Sequence, residues 1–151
     1  MNDVLKIHSN SEKETFLIGE KFAKSLDINS NPIVILSGDL GVGKTKFVQG
    51  MLTAFGLENE ISSPTFTIVN EYKNDKVSFN HFDLYRLEDI DEFYAMGGDD
   101  YLSSGVCVFE WGEILEDYLK DNNYYKIEIY KDNEENVDSR IFKITYVENK
   151  K

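Results

Sequence analysis

Ile33-Val-Ile-Leu-Ser-Gly38-Asp-Leu-Gly41-Val-Gly43-Lys44-Thr45 is the stretch on which the fold turns. Its first four residues are an unbroken apolar run, the pattern of a central parallel strand covered on both faces. Gly38 to Thr45 then match G-x-x-x-x-G-K-[ST], a P-loop. Its glycines let the backbone curl so that several amides point at phosphate oxygens. Beyond it Phe47, Met51 and Phe55 recur every four residues, and Gly56 closes the pattern as a helix C-cap. Strand, glycine-rich loop and helix stand in the order the motif requires. A glycine-rich turn can precede a helix by chance, but here the motif is complete and its context agrees.

Upstream, Ser11 and Glu14 form a capping-box pattern, with Ile18, Phe22 and Leu26 following at helical spacing. This predicts a helix over 11–27, broken by Asn29 to Pro32. Downstream, residues 65–73 and Val77 to Leu84 read as extended segments around an Asn74-Asp75 turn, an antiparallel hairpin. Residues 88–96 suggest a short acidic helix stopped by Gly97-Gly98. Val106-Cys-Val-Phe109 is a second continuous apolar run and so a second buried strand. A helix is expected near 112–120. Tyr125 to Lys131 and Arg140 to Val147 alternate as two last strands, and the tail from Glu148 is expected to fray.

The expected architecture is therefore α/β. It is a single-domain, P-loop-type three-layer sandwich whose mixed sheet has parallel core strands and antiparallel additions. The domain spans 1–147, with 148–151 as tail. The length of 151 residues suits one domain, and a 41% hydrophobic composition suffices for one core.

Twenty-eight acidic side chains face 16 basic ones, a formal charge of −12. Such a field repels a bare phosphate backbone, so tight direct nucleic-acid binding by this chain alone is not expected; a basic protein partner fits better. The single cysteine, Cys107, has no internal disulfide partner and builds no structural zinc site alone. No basic-then-apolar leader is seen, and no apolar run approaches the ~20 residues of a membrane span. The expected compartment is the cytoplasm.

Lys44 is placed to reach the β- and γ-phosphates, and the Thr45 hydroxyl is a natural magnesium ligand. Magnesium needs further oxygens and water attack needs orientation. Two acids are candidates by position: Glu110, directly after the second buried run, and Asp83, at the end of the Val77-to-Phe82 run. Open α/β sheets bind ligands at the C-terminal ends of parallel strands. In a chain this acidic, an ordinary surface acid is the alternative reading of each.

Gly38-to-Thr45, Ser63-Pro-Thr-Phe-Thr67, His81-Phe-Asp-Leu-Tyr-Arg86 and Glu110-Trp111 occur in this order and spacing. In this the chain strongly resembles the TsaE family, the ATPase component of the bacterial tRNA threonylcarbamoyladenosine system. The P-loop alone is common to many families; the ordered set of four is specific. The resemblance runs from the first helix to Trp111, and the C-terminal hairpin matches only in general pattern. It implies hydrolysis of ATP in support of a tRNA modification, with TsaB and TsaD as protein partners and full turnover only in their complex. Carried over by position, Gly41, Val42, Gly43, Lys44, Thr45 and Lys46 would hold the phosphates of ATP, and Thr45 with Glu110 would hold Mg2+. Asp83 would position the attacking water or stand behind the metal. Thr65, in a switch-like segment, would sense the γ-phosphate. Ser11 and Glu12 would lie at the adenine edge, and Trp111 would pack beside the site. Lys46 departs from the family, which often has a second threonine there; it supplies the same backbone amide but a charge in place of a hydroxyl.

Other residues read more plainly. His81 in a strand is expected to be packed or hydrogen-bonded rather than a proton shuttle. Arg86 is expected to pair with Glu88 or Asp89, Cys107 to be inert core, and Phe93, Tyr94 and Met96 to be core. Three competing functions remain open. A small-molecule kinase needs an acceptor pocket and usually an arginine-bearing lid, and the chain's only arginines are Arg86 and Arg140. A regulatory GTPase usually carries Asn-Lys-x-Asp, which the sequence lacks. In a nucleotide-gated interaction module, binding rather than turnover would matter.

Overall fold

Ile33 and Ile35 turn to one face of the sheet and Val34 and Leu36 to the other, and all four are buried. The computed structural model describes residues 3–38, 43–58, 69–85, 87–131 and 136–149. In chain order the elements are β1 (Asp3–Ser9), α1 (Glu12–Lys24), β2 (Ile33–Ser37), α2 (Lys44–Ala54), β3 (Val69–Lys73), β4 (Ser78–Asp83), α3 (Ile90–Ala95), α4 (Gly98–Tyr101), β5 (Val106–Glu110), β6 (Tyr124–Lys131) and β7 (Arg140–Val147). The strands lie in the order β1-β7-β6-β2-β5-β4-β3. β2 runs parallel to β5 and β6, and β4 parallel to β5; β3, β7 and β1 add antiparallel pairings. The mixed sheet with a parallel centre is the architecture expected from the two apolar runs.

α1 and α2 cover one face, with Phe22, Phe47, Met51, Phe79 and Phe142 in the core beneath them. On the other face Phe82, Phe93, Phe109, Leu115 and Leu119 pack under α3 and the 112–119 turn. The two helices approach closely because Gly19 and Gly50 face each other's backbones. A Cβ on Gly19 would lie 2.1 Å from the Phe47 carbonyl oxygen, and one on Gly50 2.0 Å from that of Phe16.

Several boundaries differ from the sequence reading. β1 was not expected: Val4 and Leu5 are both exposed, so no period-two burial marks it, and it is held by antiparallel pairing with β7 from Asp3↔Tyr146 to Ser9↔Arg140. α1 stops at Lys24, not 27, because the Ser25 hydroxyl and amide both bond the Phe22 carbonyl. Its start is as expected: Ser11 Oγ accepts the Glu14 amide at 3.1 Å, while Glu14 returns a bond one residue earlier than a capping box, to the Asn10 amide at 3.0 Å.

The helix expected over 112–120 is only a 3-10 turn, Gly112–Leu115. Leu115 and Leu119 supply the apolar spacing, and the Leu119 amide bonds the Leu115 carbonyl, but the helix does not continue. Gly97 ends α3 as expected, whereas Gly98 opens α4 instead of a loop. Of the expected hairpin, β3 and β4 pair antiparallel from Val69↔Phe82 to Lys73↔Ser78; 65–68 fall outside the described residues. Phe93 is core, but Tyr94 is exposed. The tail is pinned at least to Asn149, whose amide bonds Asn123 Oδ1 at 2.9 Å. Among the described residues, no helix is long and apolar enough to cross a membrane.

Candidate nucleotide site

Lys44 opens α2 directly after Gly43, which sits at φ 108°, a conformation open to glycine. The lysine side chain is buried at 6% exposure, and its ammonium makes three contacts among the described residues. Nζ donates to the Gly38 carbonyl at 2.9 Å, lies 3.8 Å from Glu110 Oε1, and stands 4.3 Å from the centre of the Trp111 ring. A buried ammonium is costly unless it is paired, and here a carbonyl dipole, a carboxylate and an aromatic face share that role.

Glu110 ends β5 and pairs in register with Leu36 of β2 on one side and Asp83 of β4 on the other. Its second oxygen, Oε2, is held by His81 Nε2. Burial pushes the Glu110 carboxyl up, but the His81 hydrogen bond and the charges of His81 and Lys44 outweigh it and hold it below the ordinary carboxylate value. Trp111 follows in the left-handed region at φ 60°, so the chain turns sharply after Glu110 and lays the indole against Lys44. The Tyr85 ring packs on Trp111 at 5.0 Å between centroids.

Asp83 lies beside Glu110 in the sheet but is exposed. Its Oδ1 accepts the Tyr85 amide at 3.1 Å. Thr45 is exposed and Lys46 half-buried in the first turn of α2. Glu12 is exposed at the start of α1. That helix start adjoins the loop: a Cβ on Gly43 would lie 3.4 Å from the Thr15 methyl, and Thr15 Oγ1 is hydrogen-bonded to buried Ser9 at 2.8 Å. Gly41, Val42, Thr65 and Arg86, each given a place by the sequence, lie outside the described residues.

The structure thus brings Lys44, Glu110, Trp111 and Asp83 to the C-terminal edge of the parallel strands, where the sequence put them. His81 is hydrogen-bonded in its strand as expected, but its partner was not foreseen. Two further residues were missed. Ser37, the last residue of β2, donates to Glu113 Oε1 and ties the turn after Trp111 to the base of the loop. Tyr85 extends the aromatic wall. Glu113 carries no signal in so acidic a chain, and Tyr85 declares itself only through its contact with Trp111.

Fold and site together define a P-loop nucleotide-binding domain of the α/β class. The family model for the threonylcarbamoyl adenosine biosynthesis protein TsaE matches residues 9–141. The tRNA threonylcarbamoyladenosine biosynthesis protein TsaE of Rickettsia prowazekii is 36% identical over 82% of this chain and 93% of its own. The protein of the same name from Aquifex aeolicus is 37% identical over 80% of this chain and 92% of its own. A crystal structure of Bacillus subtilis YdiB superposes with a TM-score of 0.74 at 30% identity, covering 99% of this chain and 89% of that one. The chain belongs to the TsaE family.

Proposed function

We propose that this chain is the ATPase subunit of the tRNA threonylcarbamoyladenosine machinery, acting with TsaB and TsaD in the cytoplasm. The observation that carries the reading is the buried Lys44 ammonium, set between the Gly38 carbonyl and Glu110 at the edge of the parallel strands. An ammonium there would meet the β- and γ-phosphates of ATP, with Gly41, Val42, Gly43, Lys44, Thr45 and Lys46 as the residues that would hold them. The base would lie toward Glu12, at the start of α1 beside Gly43.

The donor set suits magnesium. One carboxylate, Glu110, and one hydroxyl, Thr45, leave room for water and phosphate oxygens, the usual company of this ion in nucleotide sites. When bound, the ion neutralises charge that develops on the phosphates. Asp83, exposed beside Glu110 with one oxygen fixed by the Tyr85 amide, would orient the attacking water. Thr65 would meet the γ-phosphate.

Turnover is slow in the chain alone and rises in the complex with TsaB and TsaD. The test is reconstitution with both partners and tRNA, following modification and ATP turnover together. Acceleration of both is the expected result. If the purified chain bound no ATP in a calorimeter with magnesium present, the reading would fail at its first step.

A further inference from the structure

The two oxygens of Glu110 have different neighbours. Oε2 is bonded to His81 Nε2, and Oε1 faces Lys44 Nζ at 3.8 Å. His81 reaches Glu110 from the adjacent parallel strand, where it stands opposite Val108, two residues before the Asp83–Glu110 pair. Both side chains are held in place, at 16% and 15% exposure. An ionised carboxylate offers no proton, so the imidazole carries the hydrogen on Nε2 and donates it. One oxygen of Glu110 is thereby committed within the protein, and one is left for the nucleotide side of the site.

We propose that His81 is a specificity-determining positioning residue, which by occupying Oε2 restricts Glu110 to one-oxygen coordination and so selects Mg2+ over Ca2+. Magnesium is small, demands octahedral geometry and takes a carboxylate through one oxygen. Calcium has a larger shell that readily accepts both. A partner that fixes a ligand's orientation tunes metal affinity, typically by about 10- to 100-fold when it is removed. This inference rests on Glu110 being a metal ligand.

The experiment measures binding of a non-hydrolysable ATP analogue to the full chain by calorimetry, with chelator, with MgCl2 and with CaCl2. In the unaltered chain Mg2+ should enhance affinity more than Ca2+. His81→Ala should reduce the Mg2+ enhancement about tenfold or more and raise the Ca2+ enhancement, because both oxygens of Glu110 are then open to the larger ion. His81→Phe, which fills the same space without a donor, should behave alike. His81→Gln, whose amide N–H can reach Oε2, should restore the preference for Mg2+. A Mg2+/Ca2+ ratio unchanged in both His81→Ala and His81→Phe overturns the inference. If the Mg2+ enhancement survives Glu110→Ala, the ligand assignment itself is wrong. If Glu110→Ala loses it while the His81 variants keep the ratio, only the role of His81 falls.

Discussion

Lys44 and Cys107 are both buried, with opposite consequences. Lys44 is charged and matched by three neighbours, so Lys44→Met keeps the packing of the stem and removes the charge. Hydrogen bonds to charged groups contribute about 1.5–3 kcal/mol. The variant should therefore lose about 10- to 100-fold in ATP affinity by calorimetry while melting near the parent temperature. Cys107 sits with its thiol donating to the Tyr101 carbonyl, and burial pushes it from 9.0 up to about 12. Between those values the unfolded chain releases a proton that the folded chain keeps. Its contribution to stability is therefore full below pH 9 and lost as pH rises toward 12. Urea titrations at pH 8 and pH 10.5 should show a steeper loss for the parent than for Cys107→Ala. Native protein at pH 8 should resist alkylation that the unfolded chain accepts.

At the scale of elements, the α1–α2 crossing is the tightest feature. Gly50→Ala puts a methyl carbon 2.0 Å from the Phe16 carbonyl oxygen, and neither helix backbone can yield without moving. A loss of about 3 kcal/mol is expected, which at ~2–4 °C per kcal/mol for a domain of this size lowers the melting temperature by roughly 6–12 °C. Ser11→Ala removes an N-cap bond and should cost only about 1 kcal/mol. These elements differ in how openly the sequence announces them. β2 and β5 are continuous apolar runs and α2 has a clean four-residue repeat, so all three are legible. β1 is not, because an edge strand with Val4 and Leu5 both exposed carries no alternation and owes its form to β7. The 112–120 segment has helical apolar spacing, yet the left-handed Trp111 and the 3-10 turn give those leucines their depth without a helix.

For the whole molecule, a charge of −12 bears on association more than on fold. If the chain docks on TsaB and TsaD as proposed, its binding should weaken as salt rises from 0.05 to about 0.3 M, measurable by calorimetry. The isolated chain should show no tight tRNA binding in a filter assay. What the structure brings together was legible where the pattern is local: Lys44 from the loop, Glu110 and Trp111 from the end of an apolar run. The His81–Glu110 bond joins residues 29 apart across two strands, and only the register of β4 against β5 makes it. The Ser37–Glu113 contact spans 76 positions and is likewise created by the fold.

The contact between Lys44 and Glu110 has one more consequence. If Lys44 meets a phosphate as proposed, that phosphate competes with the Glu110 carboxylate, and nucleotide entry would be an ion exchange. Lys44 would trade a carboxylate for a phosphate, and Glu110 would be left facing a polyanion. A divalent cation arriving with the nucleotide would offset that repulsion at the same moment. Metal and ATP should then load as one unit, each raising the other's affinity by the same factor.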